Sequence, residues 1–78
     1  MKTKITVMRE VEGGRVRFFS LFDTVEEMKA ELLSNESVKE LTEPVPFAGG
    51  ILSFEAVSRS GGRTKFFYRE SDWGSANV

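Results

Sequence analysis

The chain contains no cysteine and no histidine. Disulfide scaffolds, zinc centres, thiol nucleophiles and His-based triads are thereby excluded, and most hydrolase chemistry goes with them. Proline occurs only twice, and no apolar run approaches the roughly 18 to 20 residues that cross a bilayer as a helix. The first residues already mix Lys2, Lys4, Arg9 and Glu10 with apolar side chains, unlike a signal peptide. A chain this short without cross-links relies on packing alone, which points to the cytoplasm. What is present suffices for one core. Of 78 residues 40% are apolar, with 7 Phe, 1 Tyr and 1 Trp, so the reading is a single domain over 1–78.

The net charge of −1 conceals a division along the chain. Residues 1–21 are basic. Residues 22–50 set Lys29 and Lys39 against Asp23, Glu26, Glu27, Glu31, Glu36, Glu40 and Glu43, and residues 51–78 are nearly balanced. With strands at the ends and a helix between them, this gives a mildly basic sheet and an acidic helical side.

Residues 4–11 alternate apolar and polar, and a second run over 15–22 follows Gly13-Gly14. This predicts a hairpin at about 4–22 with a two-residue turn, Glu12 opposite Arg15 and Glu10 opposite Arg17. That register puts Ile5, Val7, Val11, Val16, Phe18 and Phe22 on one face and Thr6, Met8, Phe19 and Leu21 on the other. Asp23 with Glu26, or Thr24 with Glu27, has the spacing of a capping box, and Val25, Met28 and Leu32 recur at helical intervals. A helical segment is expected over about 24–41, stopping near Ser34-Asn35 and resuming with Val38 and Leu41 toward the core. Pro44 and Pro46 mark 44–50 as an unpaired crossing segment anchored by Phe47. A second hairpin follows at about 51–69, then a loose tail at 71–78 containing Trp73. The fold class is α+β: strand-strand-helix-strand-strand, a four-stranded antiparallel sheet with one main helix on one face, and a radius of gyration of roughly 11 to 12 Å.

One stretch repeats. Gly13-Gly14-Arg15-Val16-Arg17-Phe18-Phe19 returns as Gly61-Gly62-Arg63-Thr64-Lys65-Phe66-Phe67, a duplicated hairpin or one local solution reached twice. Neighbours on a strand point to opposite faces, so two of the four Phe must look away from the helix. The expectation is an apolar second face bearing Met8, Phe19, Leu21 and Phe67, which binds a protein partner, a second copy of the chain among the candidates. The contrary expectation is that Phe47 and Trp73 fold across that face.

Chemical motifs are few. The Gly-Gly pairs precede strands rather than helices and read as turns, not phosphate loops. Glu55 stands inside an apolar strand facing Tyr68, and Arg9, on the Val7 face, if buried with Glu55 or Glu70 as partner, would be a structural ion pair before a catalyst. No catalytic residue, metal site, cofactor or small-molecule substrate is inferred, so the chain reads as non-enzymatic. Two further readings compete. Arg15, Arg17, Arg63 and Lys65 interleave with aromatic rings as in single-stranded nucleic-acid binders. Alternatively Glu26, Glu27, Glu31, Glu36 and Glu40 form an acidic helix surface for a basic partner. In size, lack of catalytic residues and acidic helix on a small sheet, the chain resembles in build the small phage-encoded inhibitors that include anti-CRISPR proteins. That resemblance implies a basic host complex as target.

Overall fold

A computed structural model describes residues 3–72, so Trp73 and most of the expected tail lie outside the described residues. The elements are β1 (Thr3–Val11), β2 (Arg15–Phe22), α1 (Val25–Leu33), β3 (Val38–Leu41), β4 (Val45–Ala48), β5 (Ile51–Ser58) and β6 (Arg63–Asp72). The class is α+β as the sequence predicts, but the sheet has six strands rather than four. Their order is β2-β1-β6-β5, with β3 and β4 sharing the far edge of β5, and every pairing is antiparallel. No helix is long and apolar enough to cross a membrane among the described residues.

Two segments differ from expectation for definable reasons. Residues 38–41 form a strand, not a continuation of the helix. The register of β3 against β5 slips between Val38 and Glu40, so Lys39 is an extra residue and Val38 and Leu41 both reach the core face. A bulge thus gives two apolar residues three apart a common face, which imitates helical periodicity. The supposed crossing segment contains β4. Pro46 lies opposite Leu52 on an edge strand, where a missing N–H costs nothing.

α1 starts as a capping box would have it. The Thr24 hydroxyl accepts the Glu27 N–H at 3.0 Å, while Asp23 pairs with Lys4 instead. The helix ends at Ser34, and the Asn35 side-chain oxygen then accepts the Ser37 N–H at 2.9 Å, a local turn that frees the chain to enter β3. Met28 and Leu32 are buried and pack with Ile5, Val7, Phe22, Phe54, Ala56, Phe66 and Tyr68. Phe54 and Phe66 stack at 5.5 Å between centroids, and Tyr68 meets Phe54 edge-on at 5.9 Å. This is the core. A nine-residue helix is about 13 Å long and covers only part of a sheet within a molecule 46 Å in its longest extent. The radius of gyration is correspondingly 13.1 Å, above the ~11.5 Å of a compact chain this size.

Candidate functional site

The geometry of the surface is set by one turn. Gly13 and Gly14 have φ of 86° and 77°, and the connection is the three-residue turn Glu12–Gly14 rather than Gly-Gly alone. Val11 therefore lies opposite Arg15, Glu10 opposite Val16 and Arg9 opposite Arg17. The expected pairs Glu12 with Arg15 and Glu10 with Arg17 do not form. Farther along, a bulge at Phe19 absorbs the extra residue, and Ile5 meets Phe22 as the shorter turn would have had it.

The slip exchanges the two rings. Phe18, opposite Met8, is 63% exposed on the face away from the helix. Phe19 turns to the helix face, where its ring meets Phe66 edge-on at 5.4 Å and carries Arg9 above it at 5.8 Å. Across β1, Met8 also faces Phe67, so Phe18, Met8 and Phe67 form one row on the open face. Of the residues expected there, Met8, Leu21 and Phe67 share that face and Phe19 does not. Phe18 takes its place, and Val16 joins it.

Phe67 is nevertheless buried, because Phe47 on β4 packs edge-on against it at 4.9 Å and Lys65 lies over both rings. Phe47 thus folds over this side and packs on Phe67, while Trp73, the other expected cover, lies outside the described residues. Val16, Phe18, Leu21, Val45 and Phe47 stay exposed, and Met8, Val16, Phe47, Ile51 and Phe67 line an apolar groove of about 160 Å³. Phe18, Val16 and Ile51 are not among the residues the sequence assigns to this face, and Phe47 is there only as its expected cover. The signal that could have found the first two is Glu12, a helix-turn neighbour of Gly-Gly that lengthens the loop by one.

The second hairpin also closes with a longer loop. Val57 lies opposite Arg63, and the Ser58 N–H reaches the Gly62 carbonyl at 2.8 Å. Leu52, Phe54 and Ala56 consequently share the helix face with Phe66 and Tyr68, while Glu55 sits opposite Lys65 and bonds the Arg63 guanidinium at 2.9 Å. Neither Glu55 nor Glu70 partners Arg9, which is exposed. The repeat is therefore inverted across the sheet. Arg15 and Arg17 fall on the helix face, whereas Arg63 and Lys65 fall on the open face, so the four cations of the nucleic-acid reading do not share a surface.

The acidic set is likewise dispersed. Glu26, Glu27 and Glu31 belong to α1, Glu36 to the following turn and Glu40 to β3, and Lys29 and Lys39 line one groove with Glu40 and Glu43. On the helix face, a cleft of about 470 Å³ lies between the end of α1 and the β1–β2 hairpin. Arg9 and Phe19 form one wall, Glu31, Ser34 and Asn35 the other, and Phe66 and Ala56 lie between.

Comparison with protein-family models, with curated proteins and with solved structures finds no match to this chain.

Proposed function

We propose that this chain is a non-enzymatic protein-interaction module that binds through the open sheet face around Phe18, Leu21, Met8 and Val16. The observation that carries the reading is the exposure of Phe18, at 63%, beside Val16 and Leu21 on the face opposite α1. Contiguous apolar surface of this kind is uncommon on a monomer and marks contact with another macromolecule. Phe18 supplies what interface centres favour, a large ring with few rotamers to immobilise. The inverted repeat supports this face over a nucleic-acid track, since it divides the cations between the two sides.

A second copy is the partner to test first. Light scattering across a concentration series should show a mass rising from 8.8 kDa toward twice that value. Phe18→Ser with Leu21→Ser should return it to the monomer without loss of folded circular dichroism, because both side chains are exposed and neither belongs to the core cluster. A dimer that survives the double substitution, or dilution-dependent amide shifts confined to α1, would overturn the assignment of this face.

A further inference from the structure

We propose that the outer edge of β2 takes an added strand from an acidic segment of another protein, whose carboxylates meet Arg15 and Arg17 and whose alternate apolar residues lie beside Val16 and Phe18. This goes beyond the open-face reading, because it rests on backbone and charge rather than on apolar area.

Three observations converge on the edge. β2 pairs with β1 alone, and among the described residues no loop or side chain hydrogen-bonds to it. An edge strand leaves alternate N–H and C=O groups free to pair with another chain. Arg15 and Arg17 stand on its helix face with Arg9 directly opposite Arg17. The ion pairs among the described residues are Lys4 with Asp23 and Arg63 with Glu55, so none of these three guanidiniums is neutralised by a carboxylate. Like charges opposite one another oppose pairing, and a carboxylate on a strand added beyond β2 offsets that cost from the other side of Arg17. On the other face Val16 and Phe18 are exposed. The edge thus alternates cation and apolar side chain over residues 15–18, until the bulge at Phe19 breaks the register.

The same charges select the occupant. A second copy pairing β2 with β2 over 15–18 sets arginines of the two chains opposite or adjacent to each other. A nucleic-acid strand along Arg9, Arg15 and Arg17 runs toward Glu31 across the cleft and gains nothing from Arg63 and Lys65 on the far side. An extended peptide alternating acidic and apolar residues meets both rows at once, with charge-assisted bonds on one face and burial on the other.

The test uses a labelled peptide alternating Val and Glu, read by fluorescence anisotropy, with amide hydrogen exchange of the protein as the second readout. The peptide should bind, and residues 15–18 should gain exchange protection. Arg15→Glu with Arg17→Glu should weaken binding about tenfold or more and make the corresponding Val-Lys peptide the better ligand. N-methylation of the peptide backbone should abolish binding. Failure of the Val-Glu peptide to bind, binding indifferent to N-methylation, protection appearing elsewhere, or displacement by oligothymidylate that depends on the same arginines each overturns the proposal. The mass of the same samples separates the two surfaces: self-association intact with no peptide binding overturns strand addition alone, and the converse overturns the open-face dimer alone.

Discussion

At the scale of single residues, Thr6 alone among the described residues has a buried side-chain polar atom without a hydrogen-bond partner. It lies on the open face between Leu21 and Arg69, and its hydroxyl is buried without a hydrogen-bond partner. A buried orphan hydroxyl costs about 1 to 3 kcal/mol, and valine has the same shape with better strand propensity. Thr6→Val should therefore stabilise the domain by about 1 kcal/mol, seen as a higher midpoint in thermal denaturation; an unchanged or lower midpoint contradicts the assignment. Tyr68 gives the pH dependence. Burial in the core raises its phenol above the ordinary value, and the Glu70 carboxylate adds to this. The folded state then holds the proton more tightly than the unfolded one. The contribution is complete below the ordinary phenol value of ~10 and is lost as pH rises through the higher folded value. Tyr68→Phe should flatten the alkaline decline in stability measured by urea titration above that pH, with little change at neutrality in its slope.

At the scale of elements, much was legible and the remainder failed at bulges and loop lengths. α1 reads directly, since Thr24, Glu27, Met28 and Leu32 all act locally and Asn35 ends the helix in its own turn. Both hairpins are visible from alternation. Their registers are not, because Glu12 adds one residue to the first turn and the sequence around Phe19 does not announce which residue will bulge. One slipped residue moves every side chain to the other face, and this is why alternation alone places Phe19 on the face that Phe18 occupies. Bulges at Lys39 and Phe47 hide β3 and β4 in the same way, the first by imitating a helix and the second behind two prolines. The turn itself can be tested. At Gly14 an added Cβ meets nothing within 4 Å, but φ is 77°, so Gly14→Ala should cost about 1 kcal/mol through backbone strain alone. The urea midpoint reads this cost, and an unaltered midpoint would mean that the turn relaxes to another conformation.

At the scale of the whole molecule, one short helix serves a sheet too broad for it. Among the described residues, α1 covers only part of one face of the six strands, and Phe47 packs over Phe67 on the other. The two incompletely covered regions differ in kind: the open face is apolar, whereas the helix-face cleft is walled by Arg9 on one side and Glu31 on the other. Both adjoin the β1–β2 hairpin, whose outer strand is exposed at every position except Ser20 and Phe22. That hairpin carries the docking residues of both proposals, and the rest of the fold holds it in place.

The pairing of β1 with β6 also dictates when the molecule can take shape. Thr3 lies beside Asp72 and Arg9 beside Phe66, so the first of the described strands to be made waits inside the sheet for the last of them. Until β6 leaves the ribosome, β1 has β2 on one flank and nothing on the other, and Ile5 and Val7 lack Phe66 and Tyr68 as neighbours. Before β6 is available, pairing can proceed no further than the β1–β2 hairpin, α1 and the β3–β5 and β4–β5 pairs. The described sheet is thus assembled only after its last strand has been made, and β1 keeps one flank open to other partners until then.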